Sequence, residues 1–290
     1  MEEKYIEEIA SVAATPIVFG GRETRCFGWF HAAQKPVRDM GVVLCRPAGY
    51  EGTCAYETYT QLAEKLSCAG FAVIRFDYHG TGDSAGSDSD PHRVRAWIES
   101  TKSAIEEVKR LGGISRIALF GVRLGATLAA VTAAECDGVD SMVMWAPCVT
   151  GKAFARELRA SRSRLSVTAD SSAEDGIEAL GYVYTAQTLQ DMQILDCQRL
   201  NVPPAKRVLI VGRDDMPIEG PLPTAYRNMD IDTTYTVLPG YANMIVEPHD
   251  GVVAHETLDA IVDWLLAAKH DTTPSGLQVQ RPESAEVATS

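Results

Sequence analysis

The chain has 290 residues, is 46% hydrophobic and carries a net charge of −12 from 27 basic and 39 acidic residues. This size suffices for one large core, and the acidic balance excludes nucleic acid as the main partner because phosphate backbones are repelled. Apolar runs too short to span a bilayer and an acidic, polar start predict a cytoplasmic protein without a membrane span.

Eight strand-like segments recur along the chain. They are Thr15–Phe19, Cys26–His31, Val42–Cys45, Phe71–Phe76, Ile117–Phe120, Met142–Trp145, Val208–Val211 and Thr233–Leu238. From the third segment onward they alternate with stretches in which apolar residues have helical spacing, the last of which runs from Leu258 to Leu266. This alternation predicts an α/β fold with about eight mostly parallel strands and helices on both faces.

The connection between the sixth and seventh segments spans about 60 residues, which is too long for an unstructured loop. We therefore predict a small helical cap at about 150–200, within a single domain over residues 1–270. The first part of the cap is basic, which favours either a patch for an anionic substrate handle, such as a phosphopantetheine arm, or a solvated helix face. The basic residues are Lys152, Arg156, Arg159, Arg162 and Arg164. Residues 271–290 are polar without periodicity and are predicted to form a disordered tail.

Two further patterns argue against a metal site and a cofactor. The seven cysteines are scattered, with no Cys-x-x-Cys pair and no histidine at metal-ligand spacing, so they are expected to be reduced thiols. The sequence Gly80-Thr81-Gly82 opens a polar loop and not a helix, which argues against a dinucleotide site. We expect neither a metal nor a cofactor.

The pentapeptide Gly121-Val122-Arg123-Leu124-Gly125 lies between an apolar strand and an apolar helix. Its two glycines fit the tight turn of a nucleophile elbow, but Arg123 occupies the position of the nucleophilic serine. An arginine stays protonated and cannot attack a carbonyl, so Arg123 is expected to act through its charge. A cation at the base of a pocket needs a partner, and Glu51 and Asp215 are the candidates. Arg123 either pairs structurally with Glu51 or grips a carboxylate or phosphate of the substrate.

The order of these elements resembles the α/β-hydrolase fold, with an elbow after the fifth strand, an insertion after the sixth and an acid-bearing turn after the seventh. Four motifs are similar to those of the exosortase-system-associated hydrolases, some of which carry Gly-x-Arg-x-Gly at the elbow. These motifs are Arg46–Glu51, Phe76–Ser84, Gly121–Gly125 and Trp145–Lys152. The resemblance implies a small-molecule or carrier-bound substrate with an acyl group, such as an ester, thioester or amide.

The resemblance also implies positions for the catalytic acid and base. The acid is expected at Asp215, three residues after Gly212, with Asp214 as the alternative. Asn243 falls where the histidine of the family aligns, and it is assigned to substrate binding. His249 follows six residues later, and a longer loop could bring it over the elbow as the base, the alternative being a surface histidine.

Without a serine, the nucleophile must come from elsewhere, and Cys148 at the end of the sixth strand is the candidate, against a role in packing. Backbone amides of Leu124 and of the segment that includes Gly49 and Tyr50 are expected to bind the oxyanion. Two hypotheses follow. The first is an enzyme that hydrolyses, transfers or cyclises an acyl substrate by a non-serine mechanism, and the alternative is a non-catalytic pseudo-hydrolase that binds an anionic ligand or partner.

Overall fold

The computed structural model of the chain describes residues 14–165, 176–216 and 220–268. Ten strands are found there, namely β1 (Thr15–Phe19), β2 (Cys26–His31), β3 (Met40–Cys45), β4 (Ala72–Phe76), β5 (Arg116–Val122), β6 (Val139–Trp145), β7 (Ile177–Ala179), β8 (Tyr182–Tyr184), β9 (Arg207–Gly212) and β10 (Asp232–Val237). The predicted tail at 271–290 lies outside the described residues.

Eight of these strands form one sheet in the order β1-β2-β4-β3-β5-β6-β9-β10. β2 pairs antiparallel with both β1 and β4, whereas the five pairings from β4 to β10 are parallel. All eight segments predicted from the sequence are strands of this sheet, so the predicted α/β fold is confirmed. The carboxyl ends of the parallel strands share one edge, where open α/β sheets place their ligand sites.

Nine helices are found in the described residues. They are α1 (Tyr50–Cys54), α2 (Tyr56–Cys68), α3 (Arg93–Gly112), α4 (Leu124–Ala134), α5 (Gly151–Leu165), α6 (Ala186–Met192), α7 (Leu222–Arg227), α8 (Tyr241–Met244) and α9 (His255–Leu266). None of the described helices has the length and apolar character needed to cross a bilayer.

The core is divided between the two faces of the sheet, and β5 contributes to both. Ile117 and Leu119 pack in one cluster with residues of α3 and α4, whereas Ala118 and Phe120 pack in the other with residues of α2 and α9. Side chains alternate between faces along a strand, so a central strand covered by helices on both sides must be apolar throughout. This explains why the fifth predicted segment is an uninterrupted apolar run.

The cap between β6 and β9 contains α5, α6 and a short antiparallel hairpin of β7 and β8. The hairpin was not predicted. Its turn residues Leu180 and Gly181 have φ values of 52° and 81°, and positive φ at both central residues is typical of the tight turns that join antiparallel strands. On α5, Lys152, Arg156 and Arg159 are exposed, whereas the side chains of the two remaining basic residues lie outside the description.

The elbow imposes a packing requirement that can be tested at Gly125. A Cβ atom there would collide with the main-chain oxygens of Cys45 and Arg46, whereas a Cβ at Gly220 would meet no atom of the described residues within 4 Å. Gly125→Ala is expected to lower the free energy of unfolding by at least about 2 kcal/mol, because forced overpacking outweighs the gain of about 1 kcal/mol in helix propensity. Gly220→Ala should change it by less than about 0.5 kcal/mol. Denaturant unfolding measures both, and equal stabilities would contradict the requirement.

Candidate functional site

The elbow that links β5 to α4 retains its strained backbone although its central residue is an arginine. Arg123 has φ 54° and ψ −125°, a conformation that is uncommon for any residue except glycine. Main-chain hydrogen bonds fix it, since its amide donates to the Trp145 oxygen at 3.1 Å and its own oxygen accepts from the Cys148 amide at 3.3 Å. The side chain therefore projects from the position that a nucleophile would hold.

The Arg123 guanidinium is buried between two carboxylates. Only 6% of its side chain is exposed. Its Nε donates to Oε1 of Glu51 at 2.9 Å, and a second nitrogen donates to Oε2 of Glu157. Glu51 lies on α1, which follows the loop after β3, and Glu157 lies on the cap helix α5. One side chain therefore ties together the elbow, the loop after β3 and the cap.

The charges of this cluster neutralise the cation within the protein. Burial opposes the charge of Arg123, but the anionic groups around it outweigh that effect and raise its pKa. Burial raises the pKa of Glu51, and the Arg123 cation opposes that rise. Oε2 of Glu51 is buried without a hydrogen-bond partner among the described residues. The structure thus pairs Arg123 with Glu51, the partner proposed from sequence, and adds Glu157, which sequence reasoning missed.

Cys148 lies against this cluster but is not primed as a nucleophile. Its side chain is buried, and burial raises the pKa of the thiol well above its usual range in spite of the nearby Arg123 cation. Its main-chain oxygen accepts a hydrogen bond from the Thr127 hydroxyl. A thiol attacks as its thiolate, so this environment disfavours the nucleophilic role expected for Cys148.

The structure does not join the predicted base to the predicted acid. The His249 side chain is 78% exposed, and its Nε2 lies 3.6 Å from Oδ2 of Asp250. The Arg213 guanidinium donates to both carboxylate oxygens of Asp215, from Nε to Oδ1 at 2.9 Å and from a terminal nitrogen to Oδ2 at 2.6 Å. These hydrogen bonds lower the pKa of Asp215. Each residue contacts a near neighbour in sequence instead. The expected relay from His249 to Asp215 is therefore not formed in the described structure.

The other aspartate of this turn, Asp214, has a structural contact. Its carboxylate accepts from the amides of Gly240 at 2.7 Å and Ala242 at 3.2 Å, and so fixes the turn after β10. Asn243, in the same turn, is exposed, and its main-chain oxygen accepts from the Val252 amide at 3.1 Å. The side chain at the aligned histidine position therefore faces solvent, and its assignment to substrate binding stays a prediction.

The predicted oxyanion donors lie on the two expected segments. Leu124 begins α4, so its amide has no acceptor inside the helix. Gly49 has φ 61°, and a Cβ there would collide with the Tyr184 hydroxyl of the cap hairpin. The hydroxyl of Tyr50 donates to Oε2 of Glu247 at 2.8 Å. Binding of an oxyanion by these amides stays a prediction.

A cavity of about 360 Å³ adjoins this site. Its walls come from the loops after β3 and β4, the first turn of α3 and the cap hairpin, and include Gly49, Arg93, Trp97 and Tyr184. Its volume lies within the range of small-molecule sites. Over the described residues, no cluster of three histidine, cysteine or acidic side chains is arranged to hold a metal ion.

Sequence comparison finds a match to a family model and a match to one curated protein. A family model described as serine aminopeptidase, S33, matches residues 50–177, a stretch that contains Glu51, Arg123 and Glu157. The quorum-quenching protein AidA of Acinetobacter baumannii is 24% identical over 141 residues. That match covers 48% of this chain and 45% of AidA, so the chain spans about half the length of the curated relative it matches.

Solved structures with the same architecture are similar over almost their entire length. Est1E from Butyrivibrio proteoclasticus, solved with ferulic acid bound, superposes with a TM-score of 0.66 at 16% identity. The match covers 86% of this chain and 98% of the Est1E chain. DcsB, in complex with its substrate analogue, gives a TM-score of 0.60 at 17% identity, and the match covers 88% of this chain and 99% of the DcsB chain. At these identities the likeness shows the α/β-hydrolase fold.

Removing the cation tests whether it holds the site together. Arg123→Met should lower the free energy of unfolding by about 3–5 kcal/mol near neutral pH, because it leaves the Glu51 carboxylate buried and unpaired. Without the cation, the pKa of Glu51 in the folded protein rises further above its unfolded value of about 4.3. The loss of unfolding free energy is therefore largest at high pH, and it shrinks as the pH falls through the pKa of folded Glu51.

Denaturant unfolding measured at several pH values from about pH 5 to about pH 8 measures the effect. Arg95→Met, which removes an exposed cation that pairs with Glu99 and Glu135, is the matched control and should cost less than about 1 kcal/mol. An Arg123→Met penalty that is small, or that does not depend on pH, would contradict the assignment.

Proposed function

We propose that this chain, which has the α/β-hydrolase fold, binds an acyl-bearing small molecule, free or carried, without cleaving it by the serine route. The observation that carries this proposal is the buried ion cluster in which Glu51 and Glu157 neutralise Arg123. Acyl transfer needs a nucleophile at the elbow, a base to take its proton and an acid to orient that base. The elbow of this chain holds a paired cation in place of the nucleophile.

The features that bind a ligand persist around the altered elbow. The cavity beside Gly49 has the volume of a small-molecule site, and the amide of Leu124 lacks a partner within its helix. Backbone amides do not depend on the side chain at position 123, so a carbonyl could still be held there. These features support retention of a ligand in a site that has lost its serine chemistry.

Serine-hydrolase probes test the proposal. The parent protein should not be labelled by a fluorophosphonate, and it should not turn over ester, thioester or amide probes, because its elbow carries no nucleophile. Arg123→Ser should stay almost unlabelled because, among the described residues, no histidine is hydrogen-bonded to the elbow. Arg123→Ser combined with Asn243→His should gain labelling if the aligned position can supply the missing base. Parent turnover that is lost in Cys148→Ala or His249→Ala would overturn the proposal and favour the non-serine enzyme.

A second candidate is acid–base catalysis by Glu51. It is favoured by one observation, the buried Oε2 of Glu51 without a partner in the described structure, on a carboxyl whose pKa is raised by burial. A buried carboxyl with one oxygen free of hydrogen bonds is placed to exchange a proton with a ligand. In this case turnover of an acyl probe should fall at low pH through the raised pKa and should be lost in Glu51→Gln. The matched variant Glu157→Gln, at a half-exposed position, should retain activity, and loss in both variants would indicate a structural effect.

A further inference from the structure

A second buried arginine lies at the cavity and differs from Arg123 in its partners. Arg93, the first residue of α3, is 4% exposed. One terminal nitrogen donates to the main-chain oxygens of Asp88 at 2.9 Å and Val183 at 3.1 Å, and the other donates to that of Gly80 at 3.4 Å. All three acceptors are neutral carbonyls. Its Nε is buried and makes no hydrogen bond within the described structure.

The charge of Arg93 is favoured at a distance by the carboxylates of Asp88 and Asp90, but it is not balanced by direct contact. Of the carboxylates in the described ranges, none lies within ion-pair distance of its guanidinium, whereas Arg123 contacts two. Burial of an unpaired cation is costly, and carbonyl dipoles compensate it only in part. Burial accordingly lowers the pKa of Arg93. The guanidinium also lies 5.1 Å from the ring centroid of Trp97, a cation–π contact that offsets some of this cost.

The surroundings of Arg93 have the composition of a ligand site. The cavity lies at the N-terminal end of a 20-residue helix, where the helix dipole adds partial positive charge. Arg46 also lines it, although Asp77 neutralises that cation. Aromatic walls are provided by Tyr78, Trp97, Tyr182 and Tyr184. Asp88 lines the cavity as well, and its carboxylate restricts where a negative group can lie.

We propose that Arg93 is the anchor for a carboxylate or phosphate of the ligand, whose apolar part packs against the aromatic walls of the cavity. The guanidinium supplies the positive charge at the wall of the cavity, and the ligand supplies an anion in direct contact with it, which the described residues do not. This inference rests on the proposed function, because it takes the same cavity as the ligand site. It assigns the substrate class as a small acid with an aromatic or acyl portion.

Calorimetry with three probes of similar size tests this assignment. Phenyl phosphate and benzoate carry the two candidate anions, and benzyl alcohol is the neutral control. At least one anion should bind the parent about tenfold or more tightly than the alcohol, and the tighter of the two distinguishes a phosphate from a carboxylate ligand. Arg93→Gln should weaken that anion about tenfold or more and leave the alcohol unchanged. Arg95→Gln, which removes a largely exposed cation of the same helix, should change neither.

A second pair of variants leaves the three Arg93 hydrogen bonds intact, so it remains informative if Arg93→Gln does not fold. Val183 lines the cavity and is 40% exposed, and only its main-chain oxygen contacts Arg93. Val183→Glu should weaken the anion about tenfold by competing for Arg93, whereas Val183→Gln should not.

Three results would overturn the inference: no anion binding by the parent, equal binding of alcohol and anions, or unchanged anion affinity in both Arg93→Gln and Val183→Glu. The result of the calorimetry can be distinguished from the result of the serine-hydrolase probes used for the proposed function. Hydrolysis of acyl probes would reject the proposed function and leave anion binding at Arg93 standing. Absence of anion binding would reject the inference without altering the labelling expected at position 123.

Discussion

The buried ion cluster of Arg123 is the constraint on which the site depends. A guanidinium held at a strained turn and removed from water must be compensated, and the fold supplies Glu51 from the loop region after β3 and Glu157 from the cap. The elbow, the loop and the cap are therefore fixed relative to one another through one side chain. The position that carries the nucleophile in a serine hydrolase therefore holds, in this chain, a cation paired with two carboxylates.

Comparison of the two buried arginines shows why the anionic ligand is assigned to the neighbouring cavity. Both side chains are almost fully buried, and desolvation opposes the charge of each. Arg123 meets carboxylates, so its charge is internally satisfied. Arg93 donates only to main-chain oxygens and stacks on Trp97, so a negative ligand would improve its environment. The sequence alone makes the arginine at the elbow a candidate site for a ligand anion. In the structure, two carboxylates from distant segments of the chain already balance its charge.

The sequence predicted the sheet because each strand carries its own apolar pattern. Because a buried cation requires an anion, it also offered Glu51 and Asp215 as partners of Arg123, with a substrate anion as the alternative, and the structure pairs Arg123 with Glu51. The sequence did not predict the hairpin of β7 and β8, whose three-residue strands are too short for periodicity to register. Glu157 was missed because it lies in a basic stretch and approaches Arg123 only through the placement of the cap. The assignment of Asp215 as the catalytic acid did not consider Arg213, which lies two residues away and is hydrogen-bonded to both oxygens of the Asp215 carboxylate.

Retention of the elbow without its serine has a physical explanation that does not involve catalysis. The glycine at position 125 allows α4 to approach the main chain of Cys45 and Arg46 at the end of β3, and a side chain there would force these elements apart. The turn is therefore required by packing, whatever residue occupies its centre. Fold and backbone motif can persist while the chemistry changes, so the function must be inferred from the side chains that meet at the site. In this chain those side chains are Arg123, which pairs with two carboxylates, and Arg93, which no carboxylate of the described residues contacts.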